Sequence, residues 1–102
     1  MTKLPINHKN TIIYKIVCND PNVNELYVSH TTNFIRRRAL HKSNCYNASN
    51  KDSRLKVYDF IRQNKGWTNW NMIEIEKYPC NNSKEANIRE RYWQKLLNST
   101  LN

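Results

Sequence analysis

The sequence predicts an α+β domain in which a small three-stranded antiparallel sheet is flanked by helices, in the order ββααβα. Three features of the 102-residue chain predict this class. First, two runs rich in β-branched and aromatic residues flank a short turn segment. Second, two amphipathic stretches follow them. Third, a run in which Ile and Glu alternate precedes a last amphipathic stretch. This length supports one small core, so we expect a single domain over 1–102.

The first two predicted strands form a hairpin. The run "TIIYKIVC" is rich in Ile, Val and Tyr, and strand alternation places Ile12, Tyr14, Ile16 and Cys18 on one face. The segment "NDPNVN" supplies Asn, Asp and Pro for a turn, and "ELYVSH" is the returning strand. An antiparallel hairpin is therefore expected to open the fold.

Two helices are predicted after the hairpin. Thr31 or Thr32 can cap the first, which runs to about Lys42, because a side-chain oxygen can accept from a free N–H of the first turn. The second covers 52–64, with Gly66 just past its end. Its buried stripe is predicted to comprise Leu55, Val57, Tyr58, Phe60 and Ile61.

The third strand is predicted in "WNMIEIEKY". Ile73 and Ile75 alternate there with Glu74 and Glu76, which is typical of a strand with one solvent-facing side.

The last helix begins at Asn82 or Ser83, with Glu85 placed as in a capping box. Arg89 lies four residues after Glu85, the favourable order for a helical ion pair. The apolar side of this helix is predicted to comprise Ala86, Ile88, Tyr92, Trp93, Leu96 and Leu97.

Composition indicates the class of partner. The formal charge is +9, and basic residues run throughout the chain, which favours nucleic acid first and an acidic membrane second. A merely basic soluble protein is the other reading.

No apolar run is long enough to cross a bilayer, and the N-terminus lacks the apolar core of a signal peptide. We therefore expect an intracellular location in the cytoplasm, nucleus or nucleoid of a host. Three cysteines without CxxC spacing indicate reduced, incidental thiols.

A cluster of polar residues is expected where the first helix packs across the hairpin. Tyr14, Tyr27 and Arg37 would converge there. Arg37 and His41 are four residues apart and share a helix face, whereas the two neighbouring arginines are rotated by about 100° to either side. Only the middle arginine of "RRR" can therefore lie close to His41.

Glu90 is unusual because no cation lies three or four residues from it. A carboxylate beside an apolar stripe is either a residue at the rim of the core or a metal ligand. Both alternatives stay open from the residues alone.

The segments "TIIYKI", "LYVSHTTNFIRRRALH" and "ANIRERYW", in this order and spacing, resemble the three motif regions of the GIY-YIG nuclease family. The likeness is to its small stand-alone, mobile-element or large-virus versions, and it extends from about Asn10 to the C-terminus. The resemblance implies a DNA endonuclease that hydrolyses phosphodiester bonds with one divalent ion, Mg²⁺ or Mn²⁺. It leaves open whether the protein is a monomer or a dimer.

The resemblance also assigns roles to residues. Tyr14 corresponds to the candidate general base, Arg37 to the catalytic arginine and Glu90 to the metal ligand. As a base, Tyr14 would need the nearby cations of this basic chain to lower the pKa of its phenol, and we expect them to do so. The implied catalytic set is Tyr14, Tyr27, Arg37, His41, Glu90 and Asn102, with Asn98 as the second choice for the last position.

Exposed cations are expected to contact the phosphates of DNA. Those predicted to do so are Arg36, Arg38, Lys42, Lys56, Arg62 and Lys65. Trp67 and Trp70 could stack on bases or belong to the core.

Two positions depart from the motifs, because Ile12 and Ser29 stand where the signatures have Gly. A serine at a strand end that required positive φ would be strained and would obstruct a close phosphate. Ser29 therefore predicts a slow nuclease or, as the alternative function, a nucleic-acid-binding module that has lost turnover.

Overall fold

The computed structural model describes residues 6–102 and confirms the predicted fold class. Three antiparallel strands form one sheet in the order β2-β1-β3. They are β1 (Ile12–Cys18), β2 (Leu26–Thr31) and β3 (Trp70–Lys77). The prediction that the N-terminus carries no signal peptide falls partly on 1–5, which lies outside the described residues.

Three helices accompany the sheet, and short 3₁₀ turns precede β1 and β3. The helices are α1 (Phe34–Tyr46), α2 (Lys56–Gln63) and α3 (Ser83–Leu96). None of the helices formed by residues 6–102 is long and apolar enough to span a membrane. Cys18, Cys45 and Cys80 are all free thiols, as predicted.

The main core lies between one face of the sheet and the pair α1 and α2. Tyr14 and Ile16 from the central strand β1 point into it and are fully buried. Their side chains alternate with those that face the other side of the sheet, and Cys18 packs against the same core, so the expected β1 face is confirmed for these three residues; Ile12 is not part of this core. The buried members of this core are Tyr14, Ile16, Cys45, Val57, Tyr58, Ile61, Trp67, Trp70 and Leu101.

A register shift interrupts the pairing of β1 with β3. Ile13 pairs with Glu76, but the next residue, Tyr14, pairs with Glu74, so Ile75 is the extra residue of a β-bulge. Beyond a bulge, the two faces of a strand exchange. The predicted alternation of isoleucines inward and glutamates outward is therefore wrong.

The bulge turns Glu76 toward α3. Arg89 and the Trp93 indole both donate to its carboxylate, and Arg89 stacks on neighbouring aromatic rings. The predicted ion pair of Arg89 with Glu85 within the helix is thus replaced by an ion pair between α3 and β3. Ile73, on the other side of the bulge, is 41% exposed.

The first helix begins later and ends later than predicted. Its cap is Asn33, whose side chain accepts from the Arg36 N–H at 3.0 Å. The expected caps, Thr31 and Thr32, lie before it, and the Thr31 hydroxyl instead accepts from the Asn33 N–H at 3.1 Å. The helix then continues beyond Lys42, because the residues that follow pack against α2.

The second helix begins at Lys56, after a series of turns that was predicted to be helical from Asp52. Leu55 therefore lies outside the helix and is 53% exposed instead of buried. Gly66 ends the segment as predicted, with φ of +80°, and its N–H donates to the Ile61 carbonyl at 2.9 Å.

The last helix has the predicted cap. The Asn82 side chain accepts from the Glu85 N–H at 3.0 Å, and Glu85 accepts from the N–H of Asn81. Ala86 is fully buried. The predicted apolar side is otherwise partly wrong, because α3 contacts the sheet mainly along its edge strand β2. Its exposed apolar residues are Ile88, Tyr92 and Leu96.

Candidate active site

A buried chain of hydrogen bonds connects the sheet to both helices of the main core. Tyr14 Oη, from β1, lies 2.7 Å from His41 Nε2 on α1. His41 Nδ1 lies 2.9 Å from Tyr58 Oη on α2. All three side chains are buried. The two imidazole nitrogens are therefore both occupied by phenols.

Further rings enclose His41. The Tyr27 ring, from β2, meets it edge-on with centroids 5.7 Å apart. The Trp67 ring stacks on it at 6.3 Å. Tyr14 and Tyr27, the two residues predicted to converge with Arg37, thus both contact His41 on the same helix, and Tyr58 and Trp67 complete the enclosure. We call these five aromatic residues the aromatic half of the candidate site.

Burial controls the protonation of the aromatic half. Burial, aided by the positive charge of Arg37, lowers the pKa of His41 to about 4, so its imidazole is neutral at pH 7. Burial also raises the pKa values of Tyr14, Tyr27 and Tyr58, although Arg37 acts in the opposite direction. The expectation that nearby cations lower the pKa of Tyr14 is therefore wrong, because desolvation outweighs them.

A neutral imidazole couples its two hydrogen bonds. It carries one N–H, so a proton on Nδ1 of His41 is donated to Tyr58 and leaves Nε2 to accept from Tyr14. A proton on Nε2 reverses both bonds. The hydroxyl of Tyr58 can therefore influence Tyr14 without touching it.

The arginine triplet divides around α1 as its helical geometry predicts. Arg37 is half-buried and its charge acts on the aromatic half, whereas Arg36 and Arg38 are exposed. A groove of about 560 Å³ contains Arg36 and Arg37. A second groove of about 530 Å³ contains Arg38 and Lys42. Of the three arginines, Arg37 is the one whose charge acts on His41, and it also lines a groove.

A second group of polar residues surrounds Glu90 on α3. Glu90 Oε1 accepts from Ser29 Oγ at 2.9 Å and lies 2.9 Å from His30 Nδ1. Glu90 Oε2 accepts from Gln94 Nε2 at 3.3 Å. We call Ser29, His30, Glu90 and Gln94 the carboxylate half of the site. Its tertiary contacts give Glu90 the polar partners that its own helix lacks.

Ser29 connects the two halves. It pairs with Tyr14 across the hairpin, and its hydroxyl donates to Glu90 Oε1. Tyr27 is also within reach of the negative charge of Glu90, which raises its pKa. The phenols and the carboxylate therefore belong to one electrostatically connected site.

The backbone of Ser29 is ordinary extended strand. In the described part of the chain, the non-glycine residues with positive φ are Lys65 and Asn98. The premise that Ser29 stands at a position requiring positive φ is therefore wrong. Its side chain donates to Glu90 instead of straining the strand end.

The carboxylate half fits a hard divalent ion. Carboxylate, hydroxyl and amide oxygens are the donors that Mg²⁺ prefers, and no Lys or Arg among residues 6–102 forms an ion pair with Glu90. The same residues contain no group of three or more His, Cys, Asp or Glu side chains arranged around an ion. An open site of this kind suits an ion that keeps several waters.

Asn102 lies against β2. Its Oδ1 accepts from the Val28 N–H at 3.1 Å, and its Nδ2 donates to the Val28 carbonyl at 2.8 Å. Asn102 therefore holds the strand that presents Tyr27 and Ser29. Asn98, the second choice, has φ of +53° just after α3.

The predicted DNA-contacting cations differ in whether their side chains already bond to the protein. Arg62 donates to the Asn44 carbonyl at 3.2 Å and to the Ser53 carbonyl at 2.7 Å, so it holds the segment before α2. The remaining members are exposed: Arg36, Arg38, Lys42, Lys56 and Lys65. Trp67 and Trp70 are 8% and 4% exposed, which favours the core alternative for both.

Sequence reasoning missed Tyr58 and His30. The sequence places Tyr58 only in a buried helical stripe, and no pattern in it indicates a role for His30. Their partners, His41 and Glu90, lie 17 and 60 residues away along the chain. No periodicity or local spacing indicates such contacts.

One comparison with known proteins gives a match. The family model described as the GIY-YIG catalytic domain matches residues 10–102. No curated protein and no solved structure matches the chain.

Proposed function

This chain belongs to the GIY-YIG catalytic domain family, a family of nucleases, and from that premise we propose that it is a metal-dependent DNA endonuclease. The proposed reaction is hydrolysis of a phosphodiester bond. The observation that carries the proposal is the convergence of side chains from all three motif regions. Tyr14, Arg37 and Glu90 come from β1, α1 and α3. His41 contacts Tyr14, Ser29 contacts Glu90 and pairs with Tyr14, and the charge of Arg37 acts on Tyr14 and His41.

Arg37 and Glu90 are proposed to bind the reacting phosphate from two sides. The guanidinium of Arg37 can donate two parallel hydrogen bonds to phosphate oxygens and stabilise the charge that develops on them. Glu90 is the proposed ligand of one Mg²⁺ or Mn²⁺ ion. Such an ion supplies Lewis-acid stabilisation when bound.

Tyr14 and His41 are proposed to remove the proton of the attacking water, which requires that substrate binding open the buried hydroxyl of Tyr14 to that water. A neutral phenol can accept that proton only as it passes its own proton on, and His41 Nε2 lies 2.7 Å away to receive it. The water oxygen then forms the new P–O bond while the bond to the leaving oxygen breaks.

Phosphate binding would favour this transfer. The positive charge of Arg37 is one of the two causes that lower the pKa of His41. A phosphate dianion or diester beside Arg37 offsets that charge, which makes the imidazole a better proton acceptor when substrate is present.

The net charge of +9 and the exposed cations beside both grooves support duplex or branched DNA as the partner. The motif residues support assignment to the small viral or mobile-element type, acting inside a host cell. These parts of the proposal rest on charge and on motif likeness.

A binding module without turnover is the second candidate. The observation that favours it is that both oxygens of Glu90 already have partners in Ser29, His30 and Gln94. In that case the same surface would bind DNA and leave it intact.

Incubation of pure protein with supercoiled plasmid and with branched DNA, in Mg²⁺, Mn²⁺ or EDTA, separates the two candidates. Divalent-dependent nicking or cutting supports the nuclease, provided that Tyr14→Phe prepared in parallel lacks the activity. Binding in Ca²⁺ or EDTA without cleavage in either active metal supports the binding module. Neither binding nor cleavage would contradict both.

A further inference from the structure

We propose that His30 is a second protein ligand of the divalent ion at Glu90, so that the site is a carboxylate–imidazole pair. This inference rests on the proposed function. Its basis is the contact between His30 Nδ1 and Glu90 Oε1, 2.9 Å apart, which joins β2 to α3 beside Tyr27 and Ser29.

The spacing of these two atoms suits one ion. In octahedral coordination at about 2.0–2.1 Å, neighbouring ligand atoms are about 3 Å apart. The observed separation of 2.9 Å is close to that value, so the two atoms can become neighbouring ligands once the imidazole ring turns from the carboxylate oxygen toward the ion. An ion can therefore replace the hydrogen bond between His30 and Glu90, with a rotation of the His30 ring and with the Nδ1 proton released to water.

The pair is also accessible. The side chains of His30 and Glu90 are 22% and 21% exposed, so both are anchored on packed elements while one side remains open to water and substrate. The ligands that the protein does not supply can come from that side. The enclosed imidazole of His41, with phenols on both nitrogens, has no such opening.

The surroundings position the pair. Ser29 donates to Glu90 Oε1 and Gln94 to Oε2, so the carboxylate is held from both sides. Arg89, next to Glu90 in sequence, is directed to β3 and is paired there with Glu76. Among the His, Lys and Arg side chains of residues 6–102, His30 is the one that pairs with Glu90.

An imidazole ligand changes the metal preference of the site. Nitrogen donors favour Mn²⁺ and later transition ions over Mg²⁺, whereas a carboxylate alone favours the hard ion. We expect Mn²⁺ to bind more tightly than Mg²⁺. Replacing His30 should weaken Mn²⁺ binding by about tenfold or more and change Mg²⁺ binding much less.

The test is a measurement of Mn²⁺ binding that does not depend on cleavage. Electron paramagnetic resonance titration gives the Mn²⁺ affinity, and pulsed measurements detect hyperfine coupling to a bound imidazole nitrogen. The parent is compared with His30→Asn, which keeps an N–H that can donate to Glu90 but has no imidazole. His8→Ala is the matched control, and circular dichroism confirms that each variant is folded.

We expect nitrogen coupling in the parent and in His8→Ala, and its loss in His30→Asn together with the drop in Mn²⁺ affinity. Mn²⁺ binding without nitrogen coupling, and unchanged in His30→Asn, would overturn the proposal while leaving Glu90 as the metal ligand. If Glu90→Gln binds Mn²⁺ as the parent does, or the parent binds none, the metal role of the site fails as well. The proposed function and the His30 inference are thus contradicted by different results.

Discussion

The two halves of the candidate site are built in opposite ways. In the aromatic half, Tyr14, His41 and Tyr58 are 0%, 1% and 5% exposed, and their hydrogen bonds are closed to water. In the carboxylate half, the side chains of Glu90 and His30 are each about one-fifth exposed, and their partners come from a strand edge and a helix. Ser29 is the junction between them.

The difference indicates a division of labour. Burial keeps the imidazole and the phenols neutral, so the aromatic half can move a proton without holding a charge. Partial exposure leaves the carboxylate of Glu90 open to exchange its partners, which binding of an ion and a phosphate requires. A site that must both relay protons and admit a charged substrate benefits from one dry side and one wet side.

The largest expected effect is in the carboxylate half. Glu90→Gln should reduce metal-dependent cleavage to background while DNA binding in Ca²⁺ stays near the parental level, because the amide keeps the packing but loses the charge. Single-turnover cleavage and gel-shift titration measure the two properties. The exposed Glu74→Gln serves as control, and parental cleavage by Glu90→Gln would remove Glu90 from the mechanism.

Arg37 tests how the aromatic half meets the phosphate. Arg37→Ala should slow cleavage about a hundredfold to a thousandfold, because a donor to the developing charge is lost. Arg36→Ala and Arg38→Ala should mainly weaken binding and reduce its salt dependence. Cleavage rates and binding at several salt concentrations distinguish these results. Equal losses at all three positions would indicate a generic basic patch.

The burial of His41 predicts a pH dependence of stability. Its pKa is lowered from 6.5 to about 4 on folding, so the unfolded state takes up the proton first as the pH falls. The free energy of unfolding should therefore decrease by about 2 kcal/mol between about pH 7 and about pH 5. Urea unfolding measures it, with His41→Gln expected to flatten the profile. A flat parental profile would mean that the imidazole is not held neutral.

Tyr58 tests whether the aromatic half acts as a chain. Tyr58→Phe should slow cleavage about tenfold. Loss of the hydroxyl removes the hydrogen-bond partner of His41 Nδ1, so that bond no longer determines which ring nitrogen carries the proton. The pH–rate profile and ¹⁵N chemical shifts of His41 report that change, whereas a packing defect alone would leave the tautomer intact. Tyr46→Phe, at a 58% exposed tyrosine, is the matched control.

The smallest effect is expected at the junction. Since Ser29 has no positive φ, Ser29→Gly should not speed cleavage; it should slow it about threefold by removing a hydrogen bond to Glu90. Ser29→Ala, which lacks only the hydroxyl, should behave alike in single-turnover assays. A faster Ser29→Gly would instead show that the side chain obstructs the phosphate.

Local patterns determined much of this molecule. The order of elements, the cap at Asn82 and the turn at Gly66 follow from residue chemistry that acts over a few positions. The helical repeat likewise places Arg37, and not its neighbours, on the face of His41. The motif spacing brought Tyr14, Tyr27 and Glu90 into one hypothesis, and the family match supports the nuclease class.

Only the tertiary structure decided which atoms meet. The bulge beside Tyr14 places Glu76 where it pairs with Arg89. Because α3 packs along the sheet edge, Glu90 contacts Ser29 and His30. Burial, which no sequence window reports, raises the pKa of Tyr14 where the charge composition predicted a decrease. The physical reason is that desolvation and long-range hydrogen bonds depend on how elements pack, whereas sequence patterns report only the few residues on either side of a position.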